Sequence, residues 1–114
     1  VSETAGRAAG ASPPVIRFAD DAAEVAACFP LMRTLRPHLA STAELVERWQ
    51  RQGAAGYRLL VAWRGDEPIA LAGFRIEENL VHGRFLYVDD LVTAEGERSA
   101  GHGGRLMERL YDEG

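Results

Sequence analysis

Residues 98–106, RSAGHGGRL, place glycines at 101, 103 and 104 just ahead of an apolar series with helical spacing, Leu106, Met107, Leu110 and Tyr111. The first amides of a helix have no intrahelical acceptor, and the aligned peptide dipoles leave about half a positive charge there. Glycine lets an anion reach those amides unobstructed and accepts the positive φ of a concave nest. Arg98, just before the glycines, adds a forked donor. The stretch therefore reads as a turn into a helix that cradles a phosphate or pyrophosphate. Its plain competitor is a tight connection whose glycines serve only close helix packing. Two phosphate motifs are excluded. The dinucleotide fingerprint fails because Gly101-x-Gly103-Gly104 runs into Arg105-Leu106, and the P-loop fails because the chain has no lysine.

The residues upstream supply the rest of the fold. Residues 1–14 are rich in Ala, Gly, Ser and Pro without an apolar period, and a flexible tail is expected. VIRFA (15–19) reads as a short strand. Asp20-Asp21 with Glu24 forms a capping-box pattern before Val25, Phe29, Met32 and Leu35, a helix that Pro30 kinks or restarts and Pro37 ends. Ser41 with Glu44 caps a second helix to about Gln52, and Gly53 stops it. The period then changes. YRLLVAWR (57–64), the turn GDEP (65–68) and IALAGFRIE (69–77) predict a hairpin, and RFLYVDDLVT (84–93) a further strand that is apolar on both faces except at two aspartates. The predicted order is β-α-α-β-β-β-α, an α/β (α+β) domain over 15–114.

Composition narrows the function classes. A chain of 114 residues holds one core, and 46% hydrophobic with 26% charged residues matches an ordinary globular domain. A net charge of -4 without a basic stripe argues against nucleic acid as a partner. The missing lysine removes Schiff-base chemistry. No apolar run approaches the roughly 18 residues of a membrane helix, so no membrane partner is expected. The single cysteine, Cys28, sits in an apolar stretch and is expected to be buried and reduced, which points to the cytoplasm.

The run from Phe85 to Leu110, FLYVDDLVTAEGERSAGHGGRLMERL, resembles the acyl-CoA-binding core of the GNAT N-acetyltransferase superfamily. Arg98-x-x-Gly101-x-Gly103 matches the R/Q-x-x-G-x-G/A signature that follows the family's fourth strand, and the upstream order matches the first half of its fold, a mostly antiparallel sheet flanked by helices. The resemblance implies that the amides of Ser99, Ala100, Gly101, His102, Gly103 and Gly104, with Arg98, hold the pyrophosphate of acetyl-CoA as co-substrate. It implies that the backbone of Leu91, Val92 and Thr93 pairs with the pantetheine arm. It also implies an acid beside the thioester nine residues before the signature arginine, which is Asp89, the candidate general base for an amine-bearing acceptor. No metal is implied. The side chain of His102 is not required by the signature and is expected to be exposed.

Strand alternation predicts that Asp89 and Asp90 face opposite sides, so that only one lines the reacting centre, and each carboxylate needs a partner such as Arg84 or a solvent channel. Arg33, Arg36 and His38, near the acceptor wall of similar enzymes, are candidates for an acidic group on the acceptor. The family's further C-terminal strands and helix, with their general-acid tyrosine, have no counterpart before Gly114, and Tyr111 lies on the core stripe of its helix. The domain is thus expected to be truncated, to expose one edge of the 84–93 strand, and to form a homodimer or larger homo-oligomer. The function expected is direct acetyl transfer to a primary amine in a ternary complex. The alternatives are a catalytically incompetent CoA-binding or assembly module, or an α/β interaction domain that binds no CoA.

Overall fold

The structure, a computed structural model, describes residues 14–81, 83–97 and 101–113, with backbone alone at 78, 79 and 111–113. The expected tail lies outside the described residues apart from Pro14, as do Arg98, Ser99 and Ala100 and the side chain of Tyr111.

Local chemistry sets the helices. After β1 (Val15–Phe18), α1 (Ala22–Ala27) starts at Asp21, whose Oδ1 accepts the Glu24 N–H at 2.8 Å while Glu24 Oε1 accepts the Asp20 N–H at 3.0 Å. Cys28 closes α1 and at once caps α2 (Phe29–Leu35), with Pro30 in its first turn. The single predicted helix is therefore two. A proline lacks a donor and clashes one turn back, so it fits only where a helix begins again. Arg36 caps α2 at φ -122 and ψ 74, because Pro37 bars the helical region to the residue before it. Ser41 then starts α3 (Thr42–Gly53), its Oγ accepting the Glu44 N–H at 3.1 Å while Glu44 Oε1 accepts the Ala40 N–H at 2.7 Å.

Three strands and a helix follow: β2 (Arg58–Arg64), β3 (Glu67–Asn79), β4 (Gly83–Thr93) and α4 (His102–Glu113). The four strands form one antiparallel sheet in the order β1-β2-β3-β4. Gly65 at φ 64 and Asp66 close the β2–β3 hairpin, where Arg64 faces Glu67. Among the described residues no strand pairs with the outer edge of β4.

Both faces of the sheet are covered, which is why LLVAW in β2 is buried throughout. Leu59, Val61 and Trp63 join Val25, Cys28, Met32 and Leu45 in the core under α1–α3. Leu60 and Ala62 join Phe74, Leu106 and Leu110 in the core under α4. Two bulges break the alternation. Ile69 is the extra residue where Ala62 faces Ala70 but Trp63 faces Pro68, and Asp89 is the extra residue where Gly73 faces Asp90 but Phe74 faces Val88.

Candidate functional site

The bulge at Asp89 builds the site. In an unbroken strand Leu86, Val88, Asp90 and Val92 would share one face; the inserted residue leaves Leu86 and Val88 packed on the α4 core and turns Asp90 and Val92 to the α1–α3 side. Asp90 lies opposite Gly73, where a β-carbon would stand 1.9 Å from Tyr57 Oη and 2.9 Å from Asp90 Oδ2. Glycine at 73 thus leaves space for the tyrosine ring to lie against β3 and reach the acid.

Asp90, 9% exposed, is fully partnered: Tyr57 Oη donates to Oδ2 at 2.7 Å, and Arg36 Nε donates to Oδ1 at 2.8 Å. Burial, then the neighbouring Asp90 charge, pushes the Tyr57 phenol well above its ordinary value, so it remains a proton donor. Arg36 Nη2 also donates to the Asp89 carbonyl at 2.9 Å, tying the end of α2 to the bulge. The Asp89 carboxylate turns to Arg75, whose Nε and Nη2 donate to Oδ2 and Oδ1, each at 2.9 Å. Arg75 in turn pairs with Glu77 and lies 4.9 Å from the Tyr87 ring centroid. The partner named from the sequence, Arg84, is not the one used by either acid.

A cavity of about 290 Å³ opens beside this network, lined on the helical side by Met32, Leu39, Leu45 and Trp49 and at the sheet by Tyr57, Asp89 and Asp90. Both aspartates therefore line one cavity, against the expectation from strand alternation, because the bulge suspends that alternation. Arg36 and His38 line it too, with Arg48, which pairs with Glu44. Arg33 is not among the lining residues; it lies on α2 over the Phe29 ring.

The described part of the glycine turn is Gly101 and the first residues of α4. Gly101 takes φ 80, and its carbonyl accepts the first helical bond, from the Arg105 N–H at 3.2 Å. The amides of His102, Gly103 and Gly104 have no acceptor among the described residues, and a β-carbon at Gly101, Gly103 or Gly104 would meet nothing within 4 Å. Upstream, Leu91, Val92 and Thr93 pair with Ala72, Leu71 and Ala70 on their inner side. Their outer edge, free of any described strand, leads from the aspartates toward the glycine turn. Arg98, Ser99 and Ala100, named for the same anion, lie outside the described residues.

His102 departs from expectation. It is 3% exposed, folded beneath the start of α4 with Nε2 3.0 Å from Glu97 Oε1, because the first residue of this amphipathic helix falls on its buried side. Glu97 Oε2 also accepts from Arg64 Nη1 at 2.7 Å, and Arg64, then His102, hold its carboxyl below the usual carboxylate range. Tyr57, Arg75, Arg64 and Glu97 were not singled out in the sequence. The contacts of Tyr57 with Asp90, Arg75 with Asp89 and Arg64 with Glu97 span 14 to 33 residues, and no local pattern marks them.

Cys28 is fully buried, and desolvation, with the Glu24 charge, pushes its thiol up to about 12, which leaves no nucleophile there. Among the described residues no three His, Cys, Asp or Glu side chains converge as a metal site, and no helix is long and apolar enough to cross a membrane.

Known proteins share this architecture. A GNAT family acetyltransferase of Staphylococcus aureus superimposes with a TM-score of 0.75 at 17% identity, over 89% of this chain and 77% of that chain. An acetyltransferase of Trypanosoma brucei gives 0.73 at 19% identity, over 86% and 72%. AAC(6')-Iy, in complex with the bisubstrate analog CoA-S-monomethyl-acetylneamine, gives 0.71 at 17%, over 89% and 71%. A comparison with curated proteins gives no match. At these identities the structures establish the fold, a four-stranded antiparallel sheet with flanking helices. The family comes from the sequence itself, since residues 23–114 match the family model described as Acetyltransferase (GNAT) family. With acyl transfer as the chemistry this supports, the chain belongs to the GNAT acetyltransferase family.

Proposed function

We propose that the chain transfers an acetyl group from acetyl-CoA to a primary amine, directly and within a ternary complex. The observation that carries this reading is an open strand edge beside the cavity together with an open helix start. Among the described residues, the outer edge of β4 at Leu91–Thr93, next to the aspartates that line the cavity, has no partner strand, and the amides of His102, Gly103 and Gly104 have no acceptor. A pantetheine arm has the amide spacing to add to a strand edge, and a pyrophosphate has the charge for a helix start. The CoA-containing analog bound to AAC(6')-Iy supports the same donor. In this reading Leu91, Val92 and Thr93 supply main-chain groups, and Arg98 with residues 99–104 supplies the anion site.

The amine enters the cavity. It must lose a proton as it attacks the thioester carbonyl, and of the two acids Asp89 is the one to take it. Asp90 is sealed between Tyr57 and Arg36, whereas Asp89 is about a quarter exposed. An ionised carboxylate accepts at about four sites, so the two Arg75 donors orient Asp89 and leave acceptor capacity toward the cavity. The alternative, a CoA-binding module without catalysis, draws on the same pairing, because both carboxylates carry guanidinium partners. In either case a second copy of the chain is proposed to cover exposed apolar surface on the β3–β4 hairpin, and the buried single thiol fits the cytoplasm.

The test is acetyl-CoA with a panel of amines. Transfer releases free CoA thiol only when an amine is present, and Asp89→Asn lowers that rate by roughly 10²-fold or more while leaving CoA binding intact. CoA binding with no thiol release from any amine selects the non-catalytic module, and failure to bind CoA rejects both.

A further inference from the structure

We infer that Glu97 is a positioning residue, with Arg64 and His102 as its anchors, that aims the anion-binding amides at the start of α4 before the ligand arrives. This rests on the reading of those amides as the CoA pyrophosphate site. It adds the device that keeps the site formed.

The need for such a device is visible in the sequence. Four of the nine residues from Gly96 to Gly104 are glycine, two of them consecutive in the first turn of α4. Glycine opens the amides to an anion, but it also carries the largest backbone entropy and the poorest helix propensity after proline. A turn bare enough for a phosphate is therefore one that does not hold its own shape. Gly96 and Gly101, at φ 87 and φ 80, add two further permissive joints.

The three side chains supply what the backbone lacks. Glu97 spends one carboxylate oxygen on each anchor: Oε2 on Arg64 Nη1 at 2.7 Å, Oε1 on His102 Nε2 at 3.0 Å. Arg64 ends β2, so the corner is fixed to the sheet. His102 is the first residue of α4, so its ring sets the direction of the amides beside it. The Glu97–His102 contact also ties the chain beyond β4 to the first residue of α4, and side-chain freedom removed in the free protein is not lost again on binding.

The polar accounting points the same way. An ionised carboxylate only accepts, so the His102 ring carries its shared proton on Nε2 and turns Nδ1 into the interior, where it is buried without a partner among the described residues, as is Arg64 Nε. Two unpaired buried atoms are a cost that an aliphatic residue at 102 would avoid, so packing alone does not account for a histidine there. Nor does Glu97 repel the anion it helps to place, because Arg64 neutralises it.

The experiment compares CoA with pantetheine, which lacks the pyrophosphate, by calorimetry on the folded wild-type chain and on Glu97→Ala, Glu97→Gln and His102→Leu. Each substitution is expected to weaken CoA by about tenfold, the worth of one charge-assisted hydrogen bond, and to leave pantetheine unchanged. The double variant Glu97→Ala with His102→Leu should weaken CoA no further than either alone, as for one shared device. Should His102→Leu fail to fold, Glu97→Gln, nearly the same shape, carries the comparison. Unchanged CoA affinity in the variants overturns the inference. Equal losses for CoA and pantetheine also overturn it, since they report a general defect of the fold. A wild-type chain that does not bind CoA overturns the proposed function, and the positioning role with it.

Discussion

Gly103 illustrates how one residue separates ligand space from fold stability. A β-carbon there would meet no protein atom within 4 Å, and alanine is the better helix former by about 1 kcal/mol. Gly103→Ala is therefore expected to leave the melting temperature unchanged or raised while CoA affinity falls, as read by thermal unfolding and calorimetry on the same sample. Tyr57 shows the opposite balance. Tyr57→Phe strips the buried Asp90 Oδ2 of its donor and should cost about 1–3 kcal/mol in denaturant unfolding. Gly73→Ala drives a β-carbon into the tyrosine ring and should cost a similar amount, about 1–3 kcal/mol, through strain. The sequence set Asp89 and Asp90 apart in an otherwise apolar strand, and the family resemblance gave Asp89 as the candidate base. Arg75 and Tyr57 were not marked, and Arg36 was marked for an acceptor and not for Asp90, because those partners are brought by strand pairing and by the turn at Pro37, not by proximity along the chain.

At the scale of elements, the two capped helices carry a pH signature. The Asp20 amide, then Arg17, hold the Glu24 carboxyl below its usual range, and the Ala40 amide does the same for Glu44, helped by Arg48. A depressed folded value means that stability is fully present above the unfolded value of about 4.5 and is lost as pH falls through the lower, folded one. Glu44→Gln should thus lie below wild type in stability at neutral pH, and the gap should close as pH drops below about 4.5, as measured by denaturant melts across pH. Both caps were legible from Ser/Asp-x-x-Glu spacing, since a helix start is satisfied by residues three apart. The bulge in β4 was not legible. Nothing within VDDL distinguishes a regular strand from one with an extra residue; the choice is made opposite, where Gly73 admits Asp90 and Tyr57.

For the whole molecule, the sheet separates two cores and places the cavity where α2 and α3 meet β4, so the proposed acceptor space and the proposed donor edge lie on one strand. Beyond the last β2 pair, Arg58 with Phe74, β3 and β4 continue as a two-stranded arm ending in exposed Leu80 and Val81, with exposed Tyr87 on its flank. A two-stranded ribbon with exposed apolar side chains is an association hazard, and under the proposed assembly sedimentation at micromolar concentration should show a dimer that Leu80→Lys shifts toward monomer. A wild-type chain that stays monomeric under those conditions rules the assembly out. What the sequence determined alone was whatever depends on near neighbours: capped helix starts, proline stops, apolar runs, and a glycine turn that stands before a helix. Tertiary structure alone decided which face Asp90 takes, which arginine each acid receives, and that His102 is buried on Glu97. Those outcomes follow from strand register and from side chains meeting across the sheet, where the energy belongs to pairs of residues far apart in the chain and is invisible until both are in place.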